Sequence, residues 1–463
     1  MKESPRIYNI FPRLVGSIDK WELDLLTIKE MEFNWIYVNP LNYLGFSGSL
    51  YSIKDFYRFN PLFAPSGAND VESWEYSRKF IKKCHEFDIR LMLDLVINHV
   101  AIDSELIKIH PKWFIEKWAL VNKTDNNVVK FFEGIDKPIL DNYTLENFNL
   151  ERRIANPFAI DPTDSRKITI WGDLAEINLE KNSDLENVMN YFKDYISFCL
   201  NLGVDGFRCD AAYKISQNVW KIFINHAKNI NKDVLFVAET LGCTFNECES
   251  VSKAGFDYIY SSSKWWDFTA PWCVEQYNQF RKYAPSISFP ESHDTERLAF
   301  ETNGRKDFQI FRYLFASIFS AGIMIPIGYE YGFKKKLDVV KTTPKDWGKI
   351  NFNISSEIKE INLFKKKYIC LNEDGEIVHY QYGDLNILVL RKTNLKENQQ
   401  ILLIYNKDWN NPHNIYLENL SYFLNFGTKI ERIFIDKKPE PIFENTFEKL
   451  LSPNEYILFL QEK

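Results

Sequence analysis

A (β/α)8 TIM barrel, with a small unit inserted after the third strand and an antiparallel β-domain toward the C-terminal end, is the fold class this sequence predicts. Three observations predict it. Four segments bring acidic or polar groups to the end of apolar runs: Asp94-Leu95-Val96-Ile97-Asn98-His99, Gly206-Phe207-Arg208-Cys209-Asp210, Val237-Ala238-Glu239-Thr240 and Glu291-Ser292-His293-Asp294. Such runs read as buried strands handing charged groups to an open rim. Strand patterns alternate with helical ones, and a length of 463 residues suits a large barrel plus a smaller unit.

Eight barrel strands are expected at residues 7–11, 35–40, 90–97, 206–210, 235–238, 258–261, 287–290 and 324–328. Most are short apolar or β-branched runs, as strands buried on both faces require. The clearest helix between them carries Leu185, Val188, Met189, Phe192, Ile196 and Cys199 in one stripe, with Ser183 and Glu186 as a capping box at its start. Roughly eighty residues separate His99 from that helix, far beyond the usual loop. Trp113, Phe114, Phe131, Phe132 and Trp171 in this stretch need burial, so an inserted subdomain is expected at 100–183. The barrel then occupies 1–99 and 184–365. From residue 366 to 463, short strands separated by Asn, Asp, Gly and Pro predict the antiparallel β-domain, a β-sandwich. The basic runs Lys334-Lys335-Lys336 and Lys365-Lys366-Lys367 read as solvated surface.

Hydrophobic residues at 45% suffice for a sizeable core, and aromatics at 16% suit sugar clefts as well as cores. A formal charge of −6 gives no electrostatic case for nucleic acid or an anionic membrane. The start, Met1-Lys2-Glu3-Ser4-Pro5-Arg6, lacks the apolar stretch of a secretory signal, and no later run is long enough to span a bilayer. Seven scattered cysteines read as free buried thiols, and a cytoplasmic location is expected. The oligomeric state is not legible.

The acids carry the chemistry. Strand alternation puts Arg208 and Asp210 on one side, where the guanidinium would lower the carboxylate's pKa and keep it ionised, as a nucleophile needs. Glu239 ends an almost wholly apolar strand, and desolvation there would raise its pKa, as a general acid needs. Two such groups on neighbouring strand ends match retaining glycoside hydrolysis, where the carboxyls sit about 5–5.5 Å apart. Asp294 beside His293 offers a third acid, able to bind sugar hydroxyls. Taken singly, each acid is equally a rim salt bridge or a metal ligand.

Taken together, the four segments resemble, in order, the motifs of the α-amylase family of retaining glycosidases and transglycosidases, and the likeness covers nearly the whole chain. The resemblance implies Asp210 as nucleophile, Glu239 as acid/base and Asp294 as transition-state stabiliser. Arg208 would hold the nucleophile, and His99 and His293 would contact the sugar at the cleavage subsite. Tyr51-Ser52-Ile53-Lys54-Asp55-Phe56-Tyr57 is similar to the family's second-loop segment, which implies that Tyr51 stacks on the sugar ring. Trp171-Gly172-Asp173-Leu174-Ala175-Glu176-Ile177-Asn178 is similar to the motif near the end of the inserted domain, with Glu176 where aspartate is commoner. Ile325-Pro326-Ile327-Gly328-Tyr329-Glu330-Tyr331-Gly332 resembles the branch of maltosyltransferases that use maltose 1-phosphate.

Two departures matter. Asp210-Ala211-Ala212-Tyr213-Lys214 shifts the lysine that often follows the nucleophile and lacks the histidine, so Lys214 is the candidate on the acceptor side. The resemblance implies Asn98 as one ligand of the family's calcium motif, but no aspartate in the insert stands out as its partner. The expectation is therefore no organic cofactor and no metal, with calcium possible but not expected. The substrate implied is an α-glucan or maltooligosaccharide, cleaved by hydrolysis. Maltosyl or glucanosyl transfer, or phosphorolysis, is the rival on the same barrel. A non-catalytic binding protein would lack the acids that are present here.

Overall fold

The computed structural model describes residues 3–134, 136–160, 166–180 and 182–463. Eight parallel strands close into a barrel: β1 (Arg6–Ile10), β2 (Trp35–Val38), β3 (Arg90–Leu95), β4 (Gly206–Cys209), β5 (Leu235–Ala238), β6 (Tyr258–Tyr260), β7 (Ser286–Ser288) and β8 (Gly322–Pro326). Their order around the barrel is their order in the chain, with β8 pairing back onto β1. All eight overlap the predicted runs. The ends differ because the residues carrying the chemistry have left the ladder: Asp210 and Glu239 each stand one position beyond the last paired residue.

The interior of the barrel is filled by Ile7, Trp35, Tyr37, Met92, Leu235, Val237, Tyr260, Ile287, Phe289 and Met324, so it is packed core rather than pore. Gly206 opens β4 where a Cβ would come within 2.7 Å of the Leu235 carbonyl oxygen and 3.3 Å of the Trp35 ring. Only glycine allows that close approach. Outside the barrel, α1 (Asp70–Glu86), α2 (Leu185–Asn201), α3 (Gln217–Ile230), α4 (Lys306–Phe319) and α5 (Ser355–Lys367) are the longest helices among the described residues. Helix α2 buries Val188, Met189, Phe192, Ile196 and Cys199, the predicted stripe. Its start differs from expectation. Asp184 is the N-cap, no side chain caps the helix, and the Asp184 carboxylate instead accepts the Trp113 indole N–H at 2.6 Å.

The insert has a three-stranded antiparallel sheet with Glu116–Asn122 at its centre, flanked by Val128–Phe132 and Phe148–Ile154. Leu174–Glu176 then returns to pair with His99–Ala101, so the excursion ends where it began. Trp113 and Phe114 are buried, Phe131 and Phe132 half-buried, but Trp171 is 41% exposed and does not need the burial expected of it. Toward the C-terminal end a six-stranded antiparallel sheet is faced by the pair His413–Leu417 and Phe447–Leu451. Neither strand of that pair was expected, because each alternates exposed polar and apolar residues over only five positions. Strand His99–Ala101 and helix α5 run across the expected breaks at 99/100 and 365/366 without interruption.

Lys365 also corrects the surface reading of its run. It lies on the α5 stripe formed with Ile358, Ile361 and Asn362, and it is fully buried. Lys334, Lys335 and Lys336 remain at the surface.

Candidate active site

Asp94, Asp210 and Glu239 converge on one guanidinium at the C-terminal ends of β3, β4 and β5. In register, Arg208 lies opposite Asp94 on one side and Val237 on the other. Its Nη1 donates to Asp94 Oδ1 at 2.9 Å and to Asp210 Oδ1 at 2.7 Å, while Nη2 lies 3.4 Å from Glu239 Oε2. The Arg208 and Asp94 side chains are almost wholly buried; Asp210 and Glu239 are each 13% exposed. Two carboxylates on neighbouring amino groups of one guanidinium are thus aimed at the same small volume.

Burial is the largest influence on all three acids, and it pushes each up. The expectation that Arg208 holds Asp210 below the ordinary range is therefore corrected in its balance: the guanidinium opposes the shift but does not reverse it. Glu239 rises to about 8, with burial foremost, Arg208 opposing, and the negative charges of Asp210 and Asp294 adding to the rise. Arg208 is closest to Asp94 and Asp210, so the proton at neutral pH belongs on Glu239. The neighbouring residue Ala211 has a left-handed backbone, φ 39°, and donates its N–H to Glu239 Oε2 at 2.6 Å. A non-glycine residue in that region is strained, and here it orients the acid.

A second network stands beside the first. Tyr51 donates its hydroxyl to Asp94 Oδ2 at 2.7 Å and stacks on His293, the rings 5.9 Å apart. His293 Nε2 lies 2.7 Å from the Tyr51 oxygen and 3.1 Å from Asp294 Oδ2. With Tyr51 donating to Asp94, the ring nitrogen is the donor to Tyr51. His99 Nε2 donates to the Tyr51 carbonyl at 3.0 Å, and burial lowers its pKa to about 4, so it is neutral. Among the described residues the Nδ1 atoms of both histidines are buried without a hydrogen-bond partner. A cavity of about 560 Å³ opens beside His293 and Asp294, with Lys335, Lys336 and Lys341 on its wall.

Seven of the eight residues singled out in the sequence belong to these two networks. Lys214 does not: its Nζ is 4.0 Å from Glu247 and 5.2 Å from the centre of the Phe158 ring, against the insert. Sequence reasoning missed Tyr37 and Asn39. Tyr37 donates to Asp94 Oδ2 at 2.5 Å, and the Asn39 amide donates to the Tyr51 hydroxyl at 3.0 Å. Their signal was the two-residue spacing of polar groups closing β2. Trp265 and Trp266, adjacent in the loop after β6, differ: Trp266 is buried against Phe268, Phe315 and Phe319, whereas Trp265 is half exposed.

The calcium expectation meets one observation. Asn98 Oδ1 is buried and accepts no hydrogen bond among the described residues. Among the described residues no group of three or more His, Cys, Asp or Glu side chains gathers to hold a metal. One amide oxygen does not fit an ion that takes six to eight oxygens. Among the described residues no helix is long and apolar enough to cross a membrane.

Residues 2–115 match the profile of the glucanotransferase domain of glycogen debranching enzyme. The α-1,4-glucan:maltose-1-phosphate maltosyltransferase of Burkholderia pseudomallei is 21% identical over 422 residues, covering 88% of this chain and 33% of its own length. Alpha-amylase 3 of Dictyoglomus thermophilum is 28% identical over 49% of this chain and 39% of its own. The chain spans between a third and about half of the length of the first three such relatives. An α-amylase from H. orenii superposes with a TM-score of 0.71 at 16% identity, all of both chains covered. A maltogenic α-amylase from Thermotoga neapolitana gives 0.70 at 18% identity over 99% of both.

Proposed function

We propose that the chain is a member of the α-amylase family and, from that premise, that it is a retaining, α-glucan-active glycoside hydrolase. The observation that carries the reading is the shared guanidinium: Asp210 and Glu239 stand on adjacent strand ends around Arg208, with the proton held on Glu239. Asp210 attacks the anomeric carbon, the glycosidic C–O bond breaks, and the Glu239 proton passes to the departing oxygen. Glu239, now ionised, takes a proton from water, whose oxygen displaces Asp210 and restores the anomeric configuration. Asp294 faces the positive charge that develops on the sugar, and Tyr51, His99 and His293 position the ring. Lys214 is proposed on the acceptor side, where Phe158 of the insert flanks it. The site uses no organic cofactor and no metal in this reading. The unpaired thiols, six of seven buried, suit a reducing compartment, and the cytoplasm is the proposed location.

Transfer is the second reading, favoured by the maltosyltransferase relatives that align along most of this chain. In that case a sugar hydroxyl replaces water in the second step. Incubation with maltooligosaccharides, with and without maltose 1-phosphate or phosphate, separates the two. Shorter sugars alone mean hydrolysis; elongated sugars mean transfer. Unchanged sugars under every condition would sink both readings.

A further inference from the structure

A second cavity, of about 320 Å³, lies at the seam between the barrel and the C-terminal sheet and shares no lining residue with the carboxylate site. Its walls come from the loop after β6, from α4 and from the segment around Tyr405 and Trp409. Arg312, on α4, is 7% exposed and lines it. One amino group donates to the Lys264 carbonyl at 2.5 Å, and the guanidinium lies 5.1 Å from the centre of the Phe268 ring. Among the described residues no carboxylate stands within ion-pair distance of it. A buried charge without a counter-charge is costly, and one that faces a cavity is a binding group waiting for an anion.

The other charges on the wall do not fill that role. Lys264 and Glu301 pair with each other at 3.0 Å. Asp267 turns one carboxylate oxygen to the N–H groups of Thr269 and Ala270, at 2.9 and 3.0 Å. Lys407, near Asp267, donates to that residue's backbone carbonyl at 3.2 Å and adds a second cation to the same cavity. Phe268 sits on the wall with φ 65°, a left-handed backbone that a bulky residue rarely adopts. Trp409, 36% exposed, packs 4.5 Å from Phe308, has the Arg305 guanidinium 5.7 Å from its ring centre, and adds an aromatic side chain to the wall. The volume is at the lower end for small-molecule sites and fits one ring with one substituent, not an oligosaccharide.

We propose that the seam cavity binds a monosaccharide phosphate, its phosphate on Arg312 and Lys407 and its ring on Trp409. A guanidinium matches phosphate through paired N–H donors, and an aromatic face suits the C–H face of a hexose.

Calorimetric titration of the full chain with glucose 6-phosphate, inorganic phosphate and glucose tests this. Glucose 6-phosphate should bind more tightly than either fragment. Arg312→Gln should weaken it by about tenfold or more, the scale of a lost charge-assisted contact. Lys407→Gln and Trp409→Ala, both nearer the surface, should each weaken it severalfold and decide the matter if Arg312→Gln does not fold. Asp210→Asn should leave this binding unchanged. No heat at millimolar ligand, equal affinity for inorganic phosphate, or loss of binding in Asp210→Asn but not in Trp409→Ala would each overturn the proposal.

Discussion

Two buried charge clusters, one at the mouth of the barrel and one beneath the C-terminal sheet, solve the same problem by opposite means. At the mouth, Arg208 meets three carboxylates, and at least one proton must be shared among groups that cannot all ionise. Under the sheet, Lys365 and Lys392 are wholly buried without carboxylates in ion-pair distance among the described residues. Lys365 Nζ donates to the carbonyls of Ser317, Ser320 and Leu371, and Lys392 Nζ to those of Ile318 and Phe319 at 2.9 and 3.1 Å. Those are mostly the orphan carbonyls at the C-terminal end of α4, where the helix dipole favours a cation. The mouth leaves charge to be moved; these two lysines leave none. Reactivity belongs to the first arrangement and cohesion to the second.

The largest test of that contrast is Asp210→Asn. Turnover on maltooligosaccharides should fall by about three orders of magnitude or more, since a covalent route cannot proceed without its nucleophile. The melting temperature should hardly move. A variant that keeps more than about a tenth of wild-type turnover rules out the role.

Glu239 gives the next largest effect, and it carries a pH signature. Glu239→Gln should slow substrates with poor leaving groups most, activated aryl glycosides less, with azide rescuing the second step. Equal losses for both, where the first step limits, would argue against an acid. In the wild type the acid must be protonated, and its pKa lies at about 8. kcat/KM should therefore hold at neutral pH and fall as pH rises through about 8. A basic limb that survives in Glu239→Gln would assign the titration to another group.

How far these two regions were legible in the sequence follows from the same contrast. The mouth is written in short segments: Arg208 and Asp210 two residues apart, Glu239 closing an apolar run. Strand alternation alone sets their faces. The balance of pKa shifts was not legible, because it depends on the burial around Asp94 and on neighbours from β2 such as Tyr37. At the seam the signal existed but was overridden by a charge run. Lys365 falls on the α5 stripe three and four residues beyond Asn362 and Ile361, which three consecutive lysines concealed. Two of its three partners, Ser317 on α4 and Ser320 just beyond its end, lie more than forty residues earlier. No local pattern reaches that far.

The seam should answer to stability rather than activity. Lys392→Met removes the donor to the Ile318 and Phe319 carbonyls, at a cost of about 1–3 kcal/mol for buried acceptors left unpaired. The melting temperature should fall by several degrees while turnover per folded molecule stays at the wild-type level. Lys365→Met should act in the same direction. If either variant melts like wild type, the methionine has repacked the site as a hydrophobic replacement can, and that lysine does not tie the end of α4 to its own element, α5 for Lys365 or the sheet for Lys392.

Chelation should have the smallest effect of all. The insert leaves the barrel at His99 and returns to it at Leu174–Glu176, so antiparallel pairing already closes the loop that a metal would otherwise clip. Asn98 donates nothing to that closure through its side-chain oxygen, but its backbone carbonyl accepts the Ile177 N–H at 2.9 Å, which does. Among the described residues a hard cation at this point would find one amide oxygen and no cluster of three acidic or other metal-binding side chains to complete its shell. EDTA should therefore leave both the melting temperature and the turnover within error of the untreated protein. A drop in either that added calcium restores would mean that binding stabilises the folded state by mass action, and that ligands for it exist in the insert.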